Sequence, residues 1–339
     1  MRKNEHGFTL SETLIAMALT LVVISAAVNA FSSSMRLADT SRIVSEMNQN
    51  LQAGMSLVVR DMIQTGTSIP RGGISIPGGL ASFPVNRPGP INGVGPWVFP
   101  AAWEVLPAVM PGGGLGAILN GVRTDVISLM YADPTIALNQ FQLAAMAADG
   151  SNVTVNAATN LGGPDGIRNG DIILFINGLG NTIQMVTGVN AQVITFADGD
   201  PMRLNQRAAE RGSIMDLQSA PGVFPPTTAM RVLFISYYID NTTDANLPRL
   251  VRRVGMGPEL AIAMGLENIQ LTFDLVDGVV NPTNIETPVD PNSPHQIRKI
   301  NMFLSARSLE RNPNTKDFMR NSMATQVGLR SLSYTDRYR

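Results

Sequence analysis

Two histidines, His6 and His295, and no cysteine are what the 339-residue chain offers to imidazole or thiol chemistry. Without Cys there is no thiolate nucleophile, no disulfide and no Cys-built zinc site. A Ser-His-Asp triad would have to run through His295 in a Pro/Asn-rich loop. No Gly-x-Ser-x-Gly elbow presents a serine to it. No P-loop pattern is present, so an ATPase is excluded, and nothing in these patterns asks for a cofactor. The acidic candidate is Asp165-Gly166-Ile167-Arg168-Asn169-Gly170-Asp171, where Asp165, Asn169 and Asp171 would be weak Ca²⁺ ligands. Arg168 in its middle and the lack of a following bidentate Glu argue against an EF-hand. A turn whose Asp and Asn side chains bond their own backbone is the plainer reading, and Asp198-Gly199-Asp200 reads the same way.

The chemistry that remains lies at the N-terminus. A short polar leader with Arg2 and Lys3 runs into Gly7-Phe8-Thr9-Leu10-Ser11-Glu12, and Thr13 to Phe31 then carries no charged side chain. About 20 apolar residues suffice for a helix to cross a bilayer core. A secretory signal would place its cleavage site after such a run, at small residues; here the candidate junction precedes it. Leader, Gly-Phe junction, one Glu in the apolar head and a long helical continuation together resemble the type IV prepilins. The resemblance implies cleavage by a prepilin peptidase between Gly7 and Phe8. It also implies N-methylation of Phe8 and a role for Glu12 in setting assembly register.

An ordinary signal anchor is the rival reading, and Arg2 and Lys3 would keep its N-terminus inside just as well. Glu12 separates the two. A carboxylate near the bilayer centre costs about 2.5–3.5 kcal/mol on insertion scales, and a plain anchor has no reason to carry it. In a pilin, a cationic N-terminal amine can pair with it at low dielectric.

Those residues have to be positioned by one long helix. Between residue 8 and about residue 65 there is no Pro, and the first is Pro70. The first half is apolar all round, as a span should be. In the second half Val44, Met47, Leu51, Met55, Val58 and Met62 recur at spacings of three and four, with Arg42, Glu46, Asn50 and Arg60 between them. That spacing predicts an amphipathic helix with one face to bury. Gly54 inside it costs about 1 kcal/mol against Ala, and Gly66 and Pro70 supply the stop.

Residues 67–123 are rich in Gly and Pro and hold both tryptophans, Trp97 and Trp103, with Phe83 and Phe99. They read as extended loop whose aromatics dock onto a sheet. From Thr124 the pattern turns β, with strands expected over 125–131, 171–176, 182–186, 192–196, 231–239, 247–254, 267–276, 297–304 and 326–332. Short helices are expected over 141–148 and 203–211. The C-terminal stretches Leu250-Val251-Arg252-Arg253, Gly265 to Leu271, Ile300 to Ser308 and Gln326 to Leu332 are similar to parts of PilW-type minor pilins, and J-type pseudopilins of type II secretion share the layout.

The expectation is therefore an α+β, type IV pilin-like chain, its long helix laid on an antiparallel sheet. Its divisions are a leader over 1–7, a transmembrane and filament-core helix over 8–34, an amphipathic half over 35–66, a Gly/Pro-rich region over 67–123 and a β-rich periplasmic head over 124–339. The resemblance implies a minor pilin in the bacterial inner membrane. Its partners would be other major and minor pilins, the prepilin peptidase and the pilus assembly machinery. A net charge of −1 gives no electrostatic reason to bind nucleic acid. The rivals are a J-type pseudopilin and a membrane-anchored periplasmic binding protein or enzyme.

Overall fold

With no Pro to interrupt it, the N-terminal segment forms one helix, α1, over Leu10–Gln64, 55 residues long. At 1.5 Å per residue it extends about 82 Å. Thr9 caps it, and it ends where Gly66 takes a φ of +83° that L side chains rarely adopt. A Cβ at Gly66 would also meet the Leu332 side chain at 2.6 Å, so the stop is fixed twice. The computed structural model describes residues 9–76, 84–91, 97–101, 103–133, 135, 138, 143–155, 161, 166–205 and 212–332.

After the helix come antiparallel sheets. Ten strands carry the argument: β1 (Val109–Gly112), β2 (Val126–Ala132), β3 (Ile172–Ile176), β4 (Asn181–Met185), β5 (Thr228–Asp240), β6 (Arg249–Val254), β7 (Glu259–Met264), β8 (Leu266–Leu275), β9 (Ile297–Arg311) and β10 (Phe318–Gly328). The first seven form one sheet around β5. Along one edge β5 pairs first with β3, through Thr228 to Val232, and then with β6, through Ile235 to Asp240. Its other edge pairs with β2, which pairs in turn with β1. Strands β8, β9 and β10 form a second sheet.

The apolar stripe of α1 is what joins the two. Met47, Leu51, Met55, Val58 and Met62 are buried in one core with Ile127, Leu129, Ile235 and Ile239 of the first sheet and Ile269, Leu271, Ile300 and Leu304 of the second. Gly54 explains itself here: a Cβ would lie 3.1 Å from Ala263 Cβ and 3.3 Å from Leu250 Cδ2, so the helix lies against β6 and β7 because that position is bare. The opposite face of the seven-stranded sheet, with Ile172, Leu174, Met185 and Phe234, is covered by Ile74, Ile76, Val85, Phe99 and Leu106 of the Gly/Pro-rich region.

That region is more ordered than its composition suggested, with short strand pairs such as Ile74–Ser75 with Val105–Leu106 and Asn86–Arg87 with Trp97–Val98. Its aromatics dock as expected. Trp97 meets Tyr238 edge-on at 5.4 Å, and Phe99 lies between Trp103 and Phe234 at 5.8 and 5.9 Å. Phe83 lies outside the described residues.

Three expectations need correction. Leu143–Met146 is a strand, not part of a helix, because it pairs with Asn152–Val155 and pairing overrides the helix preference of its two alanines. The last strand runs over Phe318–Gly328 and ends in a 3₁₀ turn at Arg330–Leu332, because its register follows β9 and not the apolar run after Gln326. Strand β7 was not expected at all. The helix expected over 203–211 falls mostly on residues 206–211, outside those described.

Candidate assembly site

Thr9 stands in extended backbone immediately before α1, and its hydroxyl accepts a hydrogen bond from the Glu12 amide at 3.3 Å. Glu12 answers: its Oε2 accepts from the Thr9 amide and from the Thr9 hydroxyl, each at 2.9 Å. Two of the free amide donors at a helix start are thereby satisfied, which makes a reciprocal capping box. A carboxylate in the first turn is also favoured by the helix dipole. The sequence reasoning read Glu12 only as an ion-pair partner; the Thr-x-x-Glu spacing that signals a cap was there to be read as well. Gly7 and Phe8 lie outside the described residues.

Every residue from Thr9 to Phe31 is exposed. Leu10, Phe31 and Leu21 leave 81%, 68% and 67% of their surface open, far too contiguous an apolar patch for a protein that stays in water. Several hydroxyls of this half of the helix bond back to its own carbonyls, Thr13 to Thr9 O at 3.2 Å, Thr20 to Ala16 O at 2.7 Å and, just beyond the stretch, Ser34 to Ala30 O at 3.0 Å. Polar groups that cannot reach water must find such internal partners. By length and composition α1 can cross a membrane, and none of the apolar window is covered by the other described residues.

The helix meets the head at Ile43, the first buried residue, and at Arg42, which pairs with Glu46 at 2.9 Å and with Glu310 of β9 at 2.7 Å. Its far end is fastened differently. Asp61, 1% exposed, accepts hydrogen bonds from Tyr131 Oη at 3.0 Å, Tyr237 Oη at 2.5 Å and Arg252 Nε at 2.7 Å. Donors from β2, β5 and β6 thus converge on one carboxylate of the last helical turn. Burial, and then the Asp61 charge, push the Tyr131 phenol up to about 12 and the Tyr237 phenol higher still, so both remain neutral donors. Sequence reasoning passed over Asp61. The available signal was its position, one residue before Met62 and three after Val58, on the face otherwise read as apolar.

The other candidates stand as follows. His295 is half-buried, and its ring packs against Gly73, where a Cβ would be 2.6 Å from Cε1. Asp165 lies outside the described residues. Asn169 is exposed, and Asp171 accepts from the Arg168 amide at 2.9 Å and from Arg231 Nη1 at 3.3 Å, so a cation of the protein already faces that carboxylate. Asp200 receives the amides of Met202, Leu204 and Asn205, which makes it a turn anchor. Among the described residues no three His, Asp or Glu side chains come together as a metal centre would require.

Residues 2–28 match the family model described as the prokaryotic N-terminal methylation motif. Among curated proteins, none matches the chain. Among solved structures, a type IV-like pilin from Thermus thermophilus aligns over 49% of this chain and 87% of its own, at 10% identity and a TM-score of 0.18. Identity and score are both too low for residue roles to pass from one to the other.

Proposed function

We propose that this chain, which carries the prepilin-type methylation motif, is a minor pilin of a type IV pilus, of the PilW kind, and acts through assembly and not catalysis. The observation that carries the reading is a coincidence of position. The motif match over residues 2–28 runs into the apolar half of α1, where every described residue as far as Phe31 is exposed. A prepilin peptidase cuts between Gly7 and Phe8, and Phe8 is then methylated on its new amine. The chain waits in the inner membrane with its N-terminus cytoplasmic and its head in the periplasm, α1 crossing through its apolar half.

On extraction into the filament, that half leaves lipid for a bundle of other pilins' helices, an exchange of one apolar surrounding for another. Glu12 starts the step oriented by Thr9. The amine of a pilin N-terminus then competes for the carboxylate, and the two pair at low dielectric inside the bundle. A head this large suits a tip or priming position better than a repeated shaft.

Mass spectrometry of the N-terminal peptide from the membrane fraction tests the processing step, and N-methyl-Phe8 is the expected species. An intact Met1 start, or cleavage elsewhere, would sink the prepilin reading. Gly7→Val should leave uncut precursor, since a Cβ obstructs close approach in a protease cleft. Deletion of the gene should abolish or reduce surface pili and spare protein secretion; the reverse outcome would make the chain a J-type pseudopilin.

A further inference from the structure

Among the described residues three charged side chains, Asp61, Arg87 and Asp240, are only 1% exposed. Asp61 and Asp240 each face an arginine, Arg252 at 2.7 Å and Arg249 at 2.9 Å. Arg87 is different, because no carboxylate among the described residues pairs with it. Its Nη2 donates to Pro111 O at 2.6 Å and its guanidinium lies over the Phe99 ring at 4.6 Å. Its Nε and Nη1 have no hydrogen-bond partner. Burial pulls the Arg87 pKa down, but only to about 9, so the group is still a cation at neutral pH.

One charged hydrogen bond and one ring face replace the hydration of a guanidinium only in part. A buried ion recovers its desolvation cost when a counter-charge is well placed and its remaining donors are satisfied. Donors left unmet carry the full penalty. The neighbours of Arg87 therefore hold it in place against its own preference for water.

That hold has few parts. Arg87 belongs to the strand pair Asn86–Arg87 with Trp97–Val98, a two-stranded sheet with no ladder to either large sheet. A two-stranded ribbon is marginal by itself. Trp97 caps a small cluster of Val126, Tyr238 and Val251. Gly89 O accepts from Arg253 Nη1, and the Ile91 amide donates to Glu259 Oε1 at 2.8 Å. At the ends, the Asn86 amide donates to Met202 O at 3.0 Å and the Phe99 amide to Val85 O at 3.3 Å. We infer that this strand pair is a strap that lifts from the seven-stranded sheet while the rest of the head stays folded, and that the buried Arg87 cation drives the lifting. Opening returns the guanidinium to water and breaks no ladder to a neighbouring strand. It uncovers Val126, Tyr238 and Val251, so the open head bares an apolar patch that the closed head hides.

The inference does not depend on the filament reading, because it concerns the head alone. Hydrogen exchange of the full chain in phospholipid nanodiscs reads it at the Asn86, Ile91 and Phe99 amides, with the β9 amides as the reference for global unfolding. In the wild type the strap amides should exchange at least about tenfold faster than those of β9. Arg87→Met keeps the length, removes the charge and should slow strap exchange by about tenfold or more. Arg87→Lys keeps a charge and should leave it fast. Trp97→Ala removes the cap and should speed it, with β9 unchanged in all three variants. Strap exchange no faster than that of β9 would overturn the inference. So would Arg87→Met exchanging as fast as the wild type or faster, or failing to fold, since Arg87 would then be a clasp. Equal slowing by Met and Lys would also count against it, because the charge would not be the cause.

Discussion

At the scale of single residues the most consequential side chain is Asp61. Removing its charge leaves the half-buried Arg252 without its partner and the Tyr131 and Tyr237 hydroxyls without their acceptor, and breaking a pair whose carboxylate is buried costs about 3–5 kcal/mol. Asp61→Ala in the full chain should lower the stability of the head by about that amount in urea denaturation. Tyr237→Phe, which removes one donor and leaves the pair, should cost only about 1 kcal/mol. Equal effects from the two would mean that packing, not the ion pair, holds the helix end.

His295 brings a pH dependence of known sign. Burial, and then the Arg298 charge, hold its imidazole below the usual value, so the folded state keeps it neutral. The unfolded chain takes the proton more readily, at a pKa of about 6.5. Stability should therefore be complete above that pH and decline as the pH falls below it. A melting curve taken from pH 8 to pH 5 checks this, and His295→Gln should flatten the decline. Glu12→Val belongs to the same scale. It should be processed and membrane-stable, since an unpaired carboxylate in lipid is a cost, yet be depleted from sheared filaments on a blot of the two fractions. Equal recovery would show that Glu12 does not set register.

At the scale of elements, α1 was legible because its signals are local: no Pro, an uncharged run, then a stripe at spacings of three and four. Five of the six residues read as its apolar face are buried, and the sixth, Val44, is half-buried. Leu51, fully buried, should cost about 2–5 kcal/mol when truncated to Ala. Gly54→Leu should also destabilise, by about 1–3 kcal/mol, although it improves helix propensity, because the side chain would be driven into Ala263 and Leu250. If thermal melting shows Gly54→Leu to be stabilised, the helix does not lie as close to β6 and β7 as described. Strands β5 and β8 were legible for the same local reason, their alternation or apolar density. The ends of β10 were not. Arg320, Asn321 and Ser322 look like loop because an edge strand over a polar face is free to be polar, and only its pairing with β9 identifies it. The division into two sheets was equally hidden, since nothing local says that β5 shares one edge between β3 and β6.

At the scale of the whole molecule, the chain divides its apolar surface between two tasks. Residues 9–31 leave theirs exposed, and the stripe after Arg42 is buried in the head. A chain lacking residues 1–34 should therefore be soluble and melt at the temperature of the full chain in nanodiscs. A large drop would mean the apolar half props up the head after all. The functional signal was legible only where it is local: the methylation motif is a run of contiguous residues, whereas the Asp61 anchor exists only once three strands converge on the helix end. The placement of Asp61 has a mechanical consequence. If a filament pulls on its subunits through the bundled half of α1, tension enters the head as a sliding force along the helix axis. Methionine and leucine contacts in the stripe can yield to sliding by small steps, exchanging one apolar neighbour for the next. A carboxylate gripped from three strands cannot slip by degrees; it must lose its donors together. Sited in the last helical turn, it acts as a ratchet pawl, so the head would resist traction stiffly up to a threshold and then part from its helix abruptly.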